Sequence, residues 1–291
     1  MQELLQYLFS GIANGAIYAV IALGFSMLYL ATELINFAQG EFVMLGALSF
    51  VTFWTGFQLP LGLAFFLAVL VVAAFGVLFE RLAIRPVRKP QPITLIIITV
   101  GASILLRGIG MLTWGKDSYS VPPFSHNEPL VIGGAALLPQ SLWIVGIVLV
   151  LMVALQLFHK RTLTGKAMQA CAIHRQAAWL LGIPSDLMAL LAFVLSAVLG
   201  AVAGVIIAPI TMCGYDMGTM LGLRGFCAAM LGGLGSTWGA VVGGFLLGIL
   251  EALGVGYISS GIKDAIAFLL LLLILYARPS GILGTQAVHR F

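Results

Sequence analysis

Long uninterrupted apolar runs dominate this chain and restrict its fold more than any other feature. They lie at 8–30, 34–55, 60–79, 92–114, 141–158, 187–208, 237–256 and 264–277. About 20 apolar residues make an α-helix long enough to cross a bilayer. A transmembrane barrel would instead need alternating segments of about ten residues. The charge content agrees with the runs. Only 8% of the 291 residues are charged and 61% are hydrophobic, against about 25% charged in a soluble domain. So few charges cannot coat a water-exposed surface, and the excess apolar area must face lipid. The class is an all-α polytopic membrane protein with about eight transmembrane helices, forming a single transmembrane domain over 1–291. A soluble enzyme, a nucleic-acid binder and a single-span receptor are excluded.

The start, Met-Gln-Glu, has no basic region, and the run behind it is too long for a signal-peptide core, so a retained first helix is expected. Basic residues then orient the chain. Arg81, Arg85, Arg88 and Lys89 crowd the loop after the third run, and Lys160, Arg161, Lys166 and Arg175 follow the fifth. Both loops are expected in the cytoplasm, with the N-terminus outside. Eight simple crossings would leave the C-terminus outside as well, yet Arg278 and Arg290 favour the inside. The stretch 211–235 resolves this parity if it makes one extra crossing as a broken helix, because 222–235 is apolar, glycine-rich and interrupted by Arg224.

The 35 glycines cluster at helical spacing. Gly11 and Gly15, Gly200 and Gly204, Gly214, Gly218 and Gly222, Gly235, Gly239 and Gly243, and Gly244 and Gly248 all recur at i, i+4. Such spacing gives a flat face on which another helix backbone can approach. The density over 200–256 points to a compact bundle, as a translocation pathway or a subunit interface would need. Cys171, Cys213 and Cys227 lack CxxC spacing and read as packing residues.

Ionisable groups within apolar runs are costly and each is a candidate functional group. Glu33 and Glu41 bracket Leu34-Ile35-Asn36-Phe37-Ala38-Gln39-Gly40. Asn36, Gln39 and Glu41 could line a polar path or sit at an interfacial helix start. Arg107 and Glu251 could pair with each other, or each could snorkel to a boundary, the reading that chemistry favours. His126, His159, His174 and His289 stand apart from one another and from carboxylate clusters, so no metal site is expected.

No GxxxxGK[ST] phosphate loop occurs, since Gly165-Lys166-Ala167 lacks both the leading glycine and the hydroxyl. Nor is there a Ser/His/Asp or Cys/His set. The chain is then a passive channel, an ion-coupled carrier using Glu41 or Glu251, or one subunit of a machine powered elsewhere. The segment 160–183 bears on the last choice. Thr164 can cap a helix there, and Gly182 followed by Pro184 can end it. Ala167, Ala170, Cys171, Ala177, Ala178 and Leu181 offer small or apolar surface between them. Such a helix can dock in another protein's groove or lie on the membrane.

Three stretches resemble the LivH-type permease subunits of bacterial branched-chain amino-acid ABC importers. The first is Gly11-Ile-Ala-Asn-Gly15-Ala-Ile-Tyr18 through Gly24, followed by Ile35-Asn36-Phe37-Ala38-Gln39-Gly40-Glu41-Phe42. The second is Gly165 through Ile183, similar to the family's ATPase-coupling loop. The third is Ala228-Ala-Met-Leu-Gly232-Gly-Leu-Gly235-Ser236 with Gly239, and the ending Arg278-Pro279-Ser280-Gly281 through Gly284 is also similar. Gln39 stands where a His is common, and Ile173-His174 replaces a usually polar or acidic pair.

The resemblance implies a transport subunit without its own ATPase site, in the bacterial inner membrane. Its partners would be a LivM-like permease, two cytoplasmic ATP-binding subunits holding ATP and Mg, and a periplasmic binding protein. Gly165, Ala170, Arg175, Ala177, Ala178 and Gly182 would form the coupling helix within a cytoplasmic segment at 159–187. Asn36, Gln39, Gly40 and Glu41 match the opening motif, which does not itself assign their role, and stay candidates for a translocation path. Gly232, Gly233, Gly235, Ser236, Gly239 and Gly243 would belong to the helix-packing or broken-helix segment. Branched-chain or other hydrophobic amino acids are the expected cargo; related permeases carry urea, short amides or aromatic acids.

Overall fold

A computed structural model describes residues 2–87, 91–125, 128–132, 134–278 and 280–284. Arg88, Lys89, His126, Pro279, His289 and Arg290, all invoked above, lie outside the described residues. Each expected run contains a helix: α1 (Gln2–Thr32), α2 (Gln39–Val51), α3 (Leu61–Phe79), α4 (Pro92–Trp114), α5 (Pro139–Arg161), α8 (Ser185–Ile207), α10 (Thr237–Tyr257) and α11 (Lys263–Ala277). Two short helices, α6 (Leu163–Ile173) and α7 (Arg175–Leu180), fill the segment after α5. Six of these helices are long and apolar enough to cross a membrane, with α3 extended to Ile84 by a π-helical turn. At 13 residues α2 spans only about 20 Å.

The stretch expected to make the extra crossing contains α9 (Met217–Gly232), a shorter apolar helix of 16 residues. It is one continuous helix, which corrects the expected break. Gly218, Gly222 and Gly225 sit inside it, because each occupies a helix contact and none needs a non-helical backbone. The irregular backbone lies instead at 33–38, the chain between α1 and α2.

Glycine contacts set the helix directions. Ideal Cβ atoms at Gly11 and Gly15 would fall 2.8 and 2.7 Å from the Cα atoms of Ile249 and Phe245, and Gly244 faces Ala19, so α1 and α10 run antiparallel with backbones touching. Gly232 meets Gly239, and Gly243 meets the Ala228 carbonyl, which sets α9 antiparallel to α10. Gly200 and Gly204 receive α2 at Phe42 and Val43. The glycine faces are therefore contact surfaces, as their spacing predicts. The central helices α1 and α8 are largely buried, whereas α3, α4 and α5 turn broad apolar faces outward, including Ile93, Ile97, Leu105, Leu112 and Val150.

The α1 start shares one face of the bundle with a hairpin of β1 (Leu130–Ile132) and β2 (Ala135–Leu137), paired antiparallel with Val131 opposite Ala136. Gln6 fastens the two, donating to the Ala136 carbonyl at 3.2 Å and accepting from its N–H at 2.8 Å. At the opposite face α6 and the end of α1 enclose a cavity with Thr32 and Glu33 in its wall. Residues 280–284 close that face against α9. Ile282 and Leu283 donate backbone N–H groups at 2.9 Å to the carbonyls of Leu231 and Gly232, two acceptors that a helix end leaves open. Gly233 and Gly281 hold left-handed backbone there, with φ of 106° and 77°. Ser280 and the α1 start therefore lie on opposite faces, as the charge parity requires. Cys171, Cys213 and Cys227 are all buried, with no disulfide among them.

Candidate functional site

The chain descends α1, turns back at Glu33 with φ 54°, and re-enters the bundle as an extended segment. Asn36 Oδ1 accepts from the Ala38 N–H at 3.0 Å, and Thr99 Oγ1 of α4 accepts from the Phe37 N–H at 3.3 Å. These bonds satisfy backbone that would otherwise be orphaned far from water. Helix α2 thus begins at the level of Ser196, midway along α8, rather than at an interface.

The four sequence-derived path residues separate into two roles. Asn36 turns the chain, and Gln39 pins it. Gln39 Nε2 donates to the Ser196 carbonyl at 3.0 Å, and the Ser196 hydroxyl donates to Gln39 Oε1 at 2.6 Å or to the Gly24 carbonyl at 2.9 Å. Gly40 lies against the backbone of Gly218 and Gly222 on α9. Glu41, itself buried, joins polar groups of α4 and α9. Its Oε1 accepts from Ser103 Oγ at 2.9 Å and from Thr219 Oγ1 at 3.3 Å, and Arg107 Nη1 donates to the same Thr219 oxygen at 3.2 Å. Gln39→Leu should remove two buried hydrogen bonds to Ser196, costing about 0.5–1.5 kcal/mol each. A lowered melting temperature of the detergent-solubilised chain is the expected measurement.

A second cluster lies deeper along α9. Arg224 donates to the Tyr18 hydroxyl at 3.2 Å, pairs closely with Asp264 at the start of α11, and stands 3.7 Å from Glu251 Oε1 on α10. Lys263 Nζ lies 3.5 Å from the same oxygen. Glu251 therefore neither pairs with Arg107 nor snorkels, since it is 1% exposed, and Arg107 turns to Thr219. Arg224, noted in the sequence only as an interruption, ties α1, α9, α10 and α11 together.

The third region, α6 and α7, projects from the face opposite the hairpin. Thr162 rather than Thr164 caps α6, accepting from the Gly165 N–H at 3.0 Å. The segment is two helices, not one, because His174 adopts extended backbone and its Nδ1 accepts from the Ala177 N–H to start α7. Gly182 ends α7 with φ 83°. Gly165 packs on Phe158 and His159 of α5, and Ala178 is buried, so both face the bundle. Ala170 is half-buried, Ala177 and Gly182 are exposed, and the side chain of Arg175 lies outside the described residues. The outward surface is apolar: Ile173, Trp179, Leu180 and Leu181 are each more than two-thirds exposed or close to it, outside the membrane-crossing helices. Of these, Leu181 stood out in the sequence as apolar surface and Ile173 only as a departure from the family pattern. Ser103 and Thr219 were also missed, although Thr99, Ser103 and Arg107 recur at i, i+4 along α4 as a polar stripe.

A family described as the branched-chain amino acid transport system permease component matches residues 7–275. The chain belongs to this family. The high-affinity branched-chain amino acid transport system permease protein LivH of Escherichia coli (strain K12) is 37% identical, with 98% of this chain and 97% of that protein covered. The corresponding BraD of Pseudomonas aeruginosa is 35% identical over the same shares. Among solved structures, a chain of PsaBC from Streptococcus pneumoniae in complex with Fab covers 96% of this chain and 93% of its own, at 14% identity and a TM-score of 0.49. This permease is a multi-pass membrane protein, and the family match, running from within α1 into α11, takes in the Glu41 cluster, the Arg224 cluster and the α6–α7 segment alike.

Proposed function

We propose that this permease is one membrane subunit of an ATP-driven importer of branched-chain amino acids. The observation that carries this is the exposed apolar surface of α6 and α7, on a chain without a phosphate-binding loop whose relatives are named as amino-acid transport permeases. Apolar surface of this kind, projecting beyond the spans, suits an ATPase groove. The coupling set then shifts outward, to Ile173, Ala177, Trp179, Leu180, Leu181 and Gly182, while Gly165 and Ala178 seat the two helices on the bundle. Two ATP-binding subunits with ATP and Mg, a second related permease and a periplasmic binding protein complete the assembly.

The α6–α7 face is the cytoplasmic one in this reading. Arg81, Arg85, Lys160 and Arg161 lie in or just past the last turns of helices that end there, Lys166 lies in α6, and the hairpin with the N-terminus faces the periplasm. The ion-coupled alternative is not favoured by the relatives, and Glu251, one of its two candidate carriers, is engaged by Arg224 and Lys263. Reconstituting the complete transporter in proteoliposomes tests the reading. Leucine uptake should need ATP on the α6–α7 side, and uptake by this chain alone on a proton gradient would overturn it. Ser280→Cys should react with a membrane-impermeant thiol reagent only from the cytoplasmic side. Reaction only from the periplasm would reverse the orientation.

A further inference from the structure

On the α6–α7 face, the ends of α1 and α3 and the starts of α4 and α8 surround a cavity of about 530 Å³. That is room for a small organic molecule, since ligand pockets run to about 300–1,000 Å³ and one water takes about 30 Å³. Glu33, Glu80, Arg85 and Asp186 stand in its wall, together with apolar side chains that include Ile35, Leu95 and Phe193. The end of α3 explains why two of these charges meet there. Residues Glu80–Ile84 form a π-helical turn, and the Arg85 N–H donates to the Glu80 carbonyl at 2.8 Å. A turn closed i→i+5 stacks residue 85 over residue 80, whereas an α-helix would send it to another face. Yet the two side chains form no direct ion pair. Glu80 is 4% exposed, and its Oε2 has no hydrogen-bond partner. A carboxylate oxygen left in that state is expensive. The terminal torsion of a glutamate is broad, so either oxygen can turn to the cavity.

We propose that this cavity is a cytoplasmic-side binding site for an aliphatic α-amino acid, with Glu80 and Arg85 holding its zwitterionic end. The assignment rests on the amino-acid import and the orientation proposed above, so the site meets amino acid that has already crossed. The ammonium group donates to the Glu80 carboxylate and supplies the partner that the fold omits. The ligand's carboxylate takes the planar donor fork of Arg85, which suits two-oxygen recognition. Glu33 and Asp186 add negative charge to the wall and disfavour a simple anion. A simple cation would meet the Arg85 charge, and an inorganic ion of either sign would leave Ile35, Leu95 and Phe193 facing water. A ligand with both charges on neighbouring groups and an aliphatic side chain satisfies the charged and the apolar wall together.

The test reads binding directly, on the full-length chain in detergent. Leu95→Cys places a thiol in the cavity wall at a half-buried position, and its modification by a small neutral thiol reagent can be followed because the native cysteines are buried. Leucine should slow that modification several-fold, while isocaproate, lacking the ammonium, and isoamylamine, lacking the carboxylate, should not. Equal rates with and without leucine, or equal protection by all three, overturn the site. Adding Glu80→Gln or Arg85→Gln should raise the leucine concentration needed for half-protection by about tenfold or more, the effect of removing one partner of a buried charged contact. Arg85 is exposed, so its variant keeps the core intact and decides the matter even where Glu80→Gln fails to fold. Unchanged protection in Arg85→Gln overturns the site. If the complete transporter imports no leucine on ATP, the transport reading falls, and protection at position 95 still decides the site.

Discussion

Replacing Gly248 with leucine is expected to abolish the folded permease. An ideal Cβ there would fall on the backbone of Gly15 and beside the Gly11 carbonyl, nearer than such atoms ever approach. Overpacking a core costs about 1–3 kcal/mol when side chains can shift. Here the neighbours are backbone atoms of a buried, central helix, so α1 and α10 must separate along their length. The contacts at Gly11, Gly15 and Gly244 would be lost together. The expected result is aggregation on detergent extraction and no monodisperse peak on size exclusion. Gly146→Leu on α5 is the control, because nothing lies within 4 Å of its ideal Cβ. That variant should extract like wild type. Normal extraction of Gly248→Leu would mean that the α1–α10 contact is not what holds the bundle.

The second large effect concerns assembly rather than folding. Leu180 and Leu181 are 78% and 81% exposed, so the double change Leu180→Glu with Leu181→Glu removes nothing from the permease's own core. If α7 seats in an ATPase groove, the change puts two carboxylates into a desolvated contact. Losses at such central apolar anchors reach about 2–4 kcal/mol each. Membrane yield and extraction should match wild type, while co-purification of the ATP-binding subunits and ATP-driven uptake are lost. Retained co-purification would show that the exposed leucines serve another surface. Trp179→Ala, at 67% exposure, should weaken the same association less severely.

Much of the fold was legible because a bilayer imposes a length rule. Each run of apolar residues contains its helix, since a backbone in lipid must satisfy its own hydrogen bonds. Basic loops predict an orientation for the chain, and the parity conflict at Arg278 drew attention to the stretch where α9 lies. The break expected in that crossing failed for a physical reason. Glycine within an apolar helix signals either weak backbone or close contact, and only the neighbour decides which. Gly218 and Gly222 have the α2 backbone beside them, so the helix continues. The break falls at 33–38, where Asn36 and Thr99 supply the missing backbone partners from positions 63 residues apart in sequence.

By itself the sequence determined the class, the placement of the apolar helices and the glycine contact faces, all of which follow from local periodicity and composition. The tertiary structure alone decided which polar groups meet. Gln39 and Glu41 are two positions apart on one helix turn and both buried, yet one is fastened to α8 and the other to α4 and α9. That difference comes from the side each faces, with Ser196 behind Gln39 and Ser103, Thr219 and Arg107 around Glu41. The same holds for α6 and α7, where helix direction turned Gly165 and Ala178 inward and left Trp179, Leu180 and Leu181 outside. Residue type states what a group can bond to, but in a bundle with so few charges only the packing of distant helices determines which partner it has.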